Sequence, residues 1–283
     1  MVMKVIFIGG LTNGQIVYDY LRKNRHIELS LAITYTDSHL GPRHMPMQPD
    51  KGGIKKGPVI EFIDDVIAIQ PDLIVVAGWS EMIPPSILQV PKYGVIGFHP
   101  SRLPDNRGRS VLAWQIEEGY TETALTMFYY GLLPDSGDII AQHPIPIAID
   151  DYIEDILSKV DESTYNLMKA YFPLIRKGEA PRRKQDWNEG LFRRLRGPRD
   201  SEINWNRPAI EIYNKIRAIS RPYPGAVCEV SGMRLRIWRA QVDTQTMGIC
   251  SDPGLVIGGN HHEDLIVACR NSAIRLTEYE KIT

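Results

Sequence analysis

The chain has 283 residues, 43% hydrophobic and 24% charged, with a formal net charge of −1. That length is enough for a substantial core in one large domain or two, and the near-neutral balance argues against a broad nucleic-acid-binding surface. No apolar run reaches membrane-spanning length, and Cys228, Cys250 and Cys269 show no C-x-x-C spacing, which argues against a metal centre or a disulfide framework and for a reducing, cytoplasmic setting.

The first half alternates strand and helix signals. Residues 4–8 (KVIFI) read as a buried strand rather than a signal peptide, because they lead straight into Gly9-Gly10. A helix is predicted over 13–22, with apolar positions at Ile16, Val17, Tyr20 and Leu21, then a strand over 27–35. Residues 58–69 have helical spacing, and 72–77 (DLIVVA) read as another buried parallel strand. A short helix over 85–88, a strand over 94–98 and a helix over 110–118 continue the alternation, which implies a parallel sheet covered on both faces. Gly9, Gly10 and Gly14 stand as G-G-x-x-x-G, not the dinucleotide-binding G-x-G-x-x-G, and no clear acidic residue closes the second strand. Glycines easing a tight strand-to-helix turn account for them. His39 and His44 lie in a Gly/Pro-rich stretch over 38–57, match no metal spacing, and read as loop residues.

Strands over 123–130 and 138–147, joined through 132–137, precede a long helical pattern over 151–176. Its apolar stripe runs through Ile153, Ile156, Leu157, Val160, Tyr165, Leu167 and Met168 and reads as core. Residues 177–199 are rich in lysine and arginine, interrupted by Pro181, Trp187 and Phe192. This stretch is either a solvated connection between domains or a patch for a phosphorylated or nucleotide-bearing acceptor, with arginine forks on phosphate and Trp187 or Phe192 stacked on a base. A helix over 208–219 follows, then strand signals over 227–230, 235–242, 254–257, 264–268 and 273–278, a spacing that fits an OB-like barrel. The expected fold class is therefore α/β: a Rossmann-like open sheet over 1–180, a basic linker over 181–200 and a small OB-like β-barrel domain over 201–283. Exposed edges of that barrel leave a homodimer open.

His99 follows directly on the strand over 94–98, where an open α/β sheet places ligands and chemistry, and its ordinary pKa suits it to handling protons. Taken alone, such a histidine is more often a strand cap. Its neighbours change that reading. Gly97-Phe98-His99-Pro100-Ser101-Arg102-Leu103-Pro104-Asp105-Asn106-Arg107-Gly108 resembles the signature N-x-H-x-S-L-L-P-x-x-R-G of the formyltransferases that use 10-formyltetrahydrofolate. Gly131-Leu132-Leu133-Pro134-Asp135-Ser136-Gly137-Asp138 resembles the family loop that carries a catalytic aspartate in a D-x-G context, and Gly119-Tyr120-Thr121-Glu122-Thr123 its G-x-T-E-T turn. Ile203-Asn204-Trp205, Ile216-Arg217-Ala218 and Pro222-Tyr223-Pro224-Gly225-Ala226 are similar to the motifs of the family's C-terminal domain.

Formyl transfer moves an acyl group to an amine, so it requires an unprotonated amine, a donor to the developing oxyanion and a proton returned to the leaving folate nitrogen. The resemblance implies 10-formyltetrahydrofolate as formyl donor and no metal. It implies His99 as proton donor and oxyanion partner, and Asp135 as its pair, helping to take the proton from the acceptor. It places Glu81, Met82 and Ile83 along the pterin pocket, together with Ser101, Leu103, Pro104 and Arg109, while Gly131, Leu132, Leu133 and Pro134 supply backbone groups to the pterin edge. Arg102, Asn106 and Arg107 are expected at the acceptor. One position departs from the pattern: the family asparagine that hydrogen-bonds the formyl oxygen is Gly97 here. Losing such a donor costs roughly a hundred- to a thousandfold in rate. Protonated His99, an ordered water in the space glycine leaves, or Asn106 would have to replace it, or the chain is a catalytically silent binding protein of the same fold. Methionyl-tRNA formyltransferases share both domains but grip a polyanion, whereas this chain is short and neutral. The G-R-S at 108–110 and S-G-D-I-I at 136–140 stand closer to the amino-sugar branch. The expectation is thus a cytoplasmic enzyme that formylates an amino sugar, nucleotide-linked, for surface-polysaccharide synthesis, with no nucleic-acid or membrane partner, and with tRNA formylation as the alternative.

Overall fold

The computed structural model describes residues 2–36, 53–245, 251–259 and 264–282; His39, His44, Cys250, His261 and His262 lie outside them. In chain order the elements are β1 (Met3–Gly9), α1 (Leu11–Lys23), β2 (Ile27–Thr34), β3 (Ile54–Lys56), α2 (Ile63–Ile69), β4 (Leu73–Ala77), α3 (Pro85–Leu88), β5 (Val95–His99), β6 (Arg107–Gly108), α4 (Val111–Glu117), β7 (Glu122–Tyr129), β8 (Ile139–Pro146) and α5 (Ile153–Lys177). They continue with β9 (Phe192–Arg193), α6 (Ala209–Ile219), β10 (Ala226–Val230), β11 (Met233–Asp243), β12 (Val256–Gly258), β13 (Leu265–Ala268) and β14 (Ala273–Lys281). No helix among the described residues is long and apolar enough to cross a membrane.

Seven strands form a mixed sheet in the order β3-β2-β1-β4-β5-β7-β8. The first five run parallel, as the continuous apolar runs of β1 and β4 predict, and β7 is antiparallel to β5. The sequence reverses direction at β1, which pairs with β2 on one side and β4 on the other, so the carboxyl ends of β1, β4 and β5 open along one edge. Ile6, Ile8, Ile33, Val66, Ile74, Val76 and Ile87 make the core on one face of that sheet. The glycines after β1 act through close approach rather than through a ligand cradle. A Cβ on Gly9 would lie 2.0 Å from the Ala77 carbonyl oxygen, and one on Gly14 2.7 Å from the same atom. In α5 the stripe differs from expectation at one residue: Tyr165 is exposed, with its ring edge 6.3 Å from Tyr20, and the neighbouring Thr164 is buried instead. At 3.6 residues per turn, 164 shares a face with 160 and 168, whereas 165 turns away.

Five antiparallel strands, β10-β11-β14-β13-β12, form the second sheet, curled as the OB-like expectation requires. Register shifts along β11 between Ile237 and Ala240 are the bulges that bend it. The chain divides into two compact units that do not follow its linear order. The first comprises Met1–Gly108, Ala124–Ile145 and Ser158–Phe192; the second comprises Arg109–Thr123, Pro146–Leu157 and Arg193–Thr283. Within the second, α4 packs on α6 through buried Val111, Leu112, Ala113 and Ile116. Arg217 of α6, almost wholly buried, donates to Asn214 Oδ1 (2.9 Å), the Asp151 carbonyl (3.0 Å) and the Ala148 carbonyl (3.3 Å).

Candidate active site

His99 ends β5 at the open edge of the first unit's sheet and is buried there. Thr126 lies opposite it on β7. The Thr126 hydroxyl donates to the Ser101 carbonyl (2.6 Å) and accepts from the Leu103 amide (3.3 Å), while the Gln142 amide donates to the Leu103 carbonyl (2.7 Å). Ser101 closes the turn by donating from its hydroxyl to the Asp105 carbonyl (2.7 Å). The segment after His99 is thus fastened to β7 and β8. Asn106 takes a left-handed backbone (φ 54°), which asparagine tolerates, and its carbonyl oxygen meets His99 Nε2 at 2.8 Å. A carbonyl only accepts, so Nε2 carries a proton and Nδ1 is left facing Asp135, with 3.5 Å between Nδ1 and Oδ1.

Asp135 is held as firmly as its partner. It too is left-handed (φ 53°), its Oδ2 accepts from the Gly108 amide (2.9 Å), and Gln185 donates from its side-chain amide to the Asp135 carbonyl (2.9 Å) and the Gly137 carbonyl (2.6 Å). Gln185 in turn accepts from Arg107 (3.2 Å). Arg107 is only 3% exposed and spends its guanidinium on Gln185, the Asp186 carbonyl (3.0 Å) and the Glu189 carbonyl (2.9 Å), with the Trp187 ring 4.7 Å away. The expected contact between Arg107 and an acceptor is therefore corrected: its donors are spent on residues 185–189, which hold the Asp135 loop. The same contacts tie residues 183–189 to the first unit, where Arg183 bridges to Ile139, while most of their side chains stay exposed.

The structure brings His99 and Asp135 together as expected, with Asn106 supplying its backbone rather than its side chain. Leu132 and Leu133 stand exposed beside Asp135, at 68% and 51%, and Pro134 is partly exposed. Glu81 and Met82 are exposed after β4, on the sheet edge that also carries His99, with Met82 at 61%. The side chains of Ile83 and Leu103 point into the core. Ser101 is likewise buried, its hydroxyl spent on the loop. Arg102 is exposed and Pro104 partly so. Arg109 belongs to the second unit, exposed, with its amide on the Arg193 carbonyl (3.0 Å). Among the described residues no group of three or more His, Cys, Asp or Glu side chains is placed to hold a metal.

Two site residues had escaped the sequence reading. Gln185 sits as one polar residue within a basic run and carries no signal. Tyr130, one residue beyond β7, fills the space beside Gly97: a Cβ on Gly97 would lie 2.3 Å from its ring. Burial first, then the charge of Asp135, hold the Tyr130 phenol above its usual range, so it stays protonated at neutral pH. Its position follows from the Gly97–Phe128 pairing, and that register is invisible in the chain itself.

The donor expected from the sequence fits this surface. Exposed Met82, Leu132 and Leu133 offer apolar contact to a flat heterocycle, and the peptide groups of 131–134 offer hydrogen bonds beside Asp135. Comparison with known proteins agrees. Residues 55–171 match the family model described as Formyl transferase, and residues 197–282 match that of Formyl transferase, C-terminal domain. Methionyl-tRNA formyltransferase of Latilactobacillus sakei subsp. sakei is 32% identical over 216 residues, 76% of this chain and 67% of its own. Among solved structures, WlaRD, a sugar 3N-formyltransferase crystallised with dTDP and 5-N-formyl-THF, superposes with a TM-score of 0.69 at 17% identity, covering 100% of this chain and 99% of its own. HypX from Aquifex aeolicus, crystallised with tetrahydrofolic acid, gives 0.71 at 19% identity; all of this chain matches, spanning 45% of HypX. With both domain models matched in order around His99 and Asp135, the chain belongs to the formyl transferase family, N-formyltransferases whose formyl donor is 10-formyltetrahydrofolate.

Proposed function

We propose that the chain transfers the formyl group of 10-formyltetrahydrofolate to the amine of an amino sugar, nucleotide-linked, as a step in making a surface polysaccharide. The His99–Asp135 pair at the carboxyl end of β5 carries the catalytic part of this reading. His99 gives its proton to the folate nitrogen as that nitrogen leaves, and Asp135 takes the proton shed by the acceptor amine. Met82, Leu132 and Leu133 line the donor's side of the site, with the peptide groups of 131–134 at the pterin edge.

The charge pattern of the second unit supports a small acceptor. Many of its arginines are matched to carboxylates: Arg193 to Glu118 and Arg196 to Glu117, Arg194 to Asp200, Arg221 to Glu278, Arg234 to Glu202 and Arg236 to Glu280, while Arg109, Arg199 and Arg270 stand exposed. A protein that grips tRNA needs unneutralised cations to displace the counterions of its phosphates. The second reading, formylation of methionyl-tRNA, is favoured by the names of the curated sequence relatives.

Incubation of the purified protein with 10-formyltetrahydrofolate and either a pool of nucleotide-linked amino sugars or charged initiator tRNA, read by mass spectrometry, decides between them. A formyl group gained by one sugar nucleotide is the expected result, and Asp135→Asn should lower kcat by at least about a hundredfold. Formylation of the tRNA alone would move the chain to the second reading. Folate binding without transfer to either acceptor would mark a silent member of the family.

A further inference from the structure

We propose that the Tyr130 hydroxyl does the work of the family's missing asparagine, donating the hydrogen bond that stabilises the formyl oxygen as negative charge builds on it. The inference rests on the formyl-transfer reading above. Gly97 and His99 are two residues apart on β5, so their substituents share one face of the sheet. A Cβ on Gly97 would lie 2.3 Å from Tyr130 Cε2 and 3.2 Å from its hydroxyl oxygen. An asparagine at 97 would carry its amide nitrogen about 2.4 Å from that same Cβ. The phenol oxygen thus lies in the neighbourhood the amide would fill, on the face of the sheet that holds His99.

The other candidates are engaged elsewhere. Tyr130's ring leaves no room for a water in the space beside glycine. Asn106 is buried, with its carbonyl on His99. His99 is kept, in the reading above, for the proton that the leaving folate nitrogen takes. The Tyr130 hydroxyl has no hydrogen-bond partner among the described residues. Its ring is fixed by stacking on Phe128 (centroids 5.3 Å apart, planes at 14°), and its amide bonds to the Val95 carbonyl (2.8 Å). A phenol O–H held in place before the reaction begins is the kind of donor that stabilises charge at no further reorganisation cost.

The electron count is simple. As the acceptor nitrogen bonds to the formyl carbon, the C=O electron pair moves onto oxygen, where the phenol donates a hydrogen bond and keeps its proton. The pair returns when carbon parts from the folate nitrogen, which takes a proton from His99, while Asp135 takes the one released by the acceptor.

Tyr130→Phe removes the donor and keeps the ring. With 10-formyltetrahydrofolate and whichever acceptor the preceding experiment identifies, its kcat should fall about a hundred- to a thousandfold, with donor KM changed by less than about threefold and the melting temperature retained. Because an asparagine cannot fit beside the ring, the compensating variant is Gly97→Asn combined with Tyr130→Ala, which should recover at least about tenfold in kcat over Tyr130→Ala alone. A Tyr130→Phe enzyme within about threefold of wild-type kcat overturns the role of the tyrosine and leaves formyl transfer standing. A wild-type protein that transfers formyl to neither acceptor overturns the underlying reading, and the inference with it.

Discussion

In the proposed reaction His99 returns a proton only while Asp135 stays in place, and Gly108 and Gln185 hold Asp135 from two sides. Gln185 also ties the loop to Arg107, so one amide links the Asp135 loop to a buried guanidinium. Gln185→Ala should therefore lower kcat about ten- to a hundredfold with little change in melting temperature, since misplacement of a catalytic group by about 1 Å costs that much. Steady-state kinetics beside a thermal melt checks it; an unchanged kcat would mean that Gly108 alone suffices. At this scale the chain is only partly legible. His99 and Asp135 could be found because each is embedded in a run of neighbours that keeps its order. Gln185 and Tyr130 could not, because what they do depends on where a distant segment and a strand register bring them. The basic Arg107 was misread for a related reason: an arginine in a motif looks available, and its burial on the carbonyls of 186 and 189 is a tertiary fact.

Among the elements, those with a plain period were readable. The continuous apolar runs of β1 and β4 announce strands buried on both faces, and α5 shows its stripe with only Tyr165 misplaced. What the period does not show is how near two elements come. β1 and β4 approach so closely that Gly9 has no room for a methyl group, and this, rather than phosphate binding, is why a glycine stands there. Gly9→Ala should destabilise the protein by about 1–3 kcal/mol through overpacking against the Ala77 backbone. Urea titration followed by far-UV circular dichroism would measure it, and a loss below about 0.5 kcal/mol would contradict the close approach.

For the molecule as a whole, one buried thiol gives stability a defined pH dependence. Burial, with a further push from Glu202, raises the Cys228 thiol from its ordinary value of 9.0 to about 12. The group's folded pKa lies above its unfolded one, so its contribution is fully present below pH 9.0 and is lost as pH rises toward 12. Above pH 9.0 the unfolding free energy should fall by up to about 1.4 kcal/mol per pH unit more than in Cys228→Ala. Parallel denaturant curves at rising pH test the slope; identical slopes in the two proteins would show that the thiol ionises freely in the fold.

The interleaving of the two units bears on engineering. The backbone passes from one to the other at 108, 123, 145, 157 and 192, so the second unit is assembled from three separate stretches. Cutting the chain at 192 would strip α6 from α4 and lay bare Val111, Leu112, Ala113 and Ile116. A chimera that grafts the tail of one relative onto the head of another therefore inherits two foreign insertions beneath the new tail. A recombinant that is to carry the second unit intact must move all three stretches together.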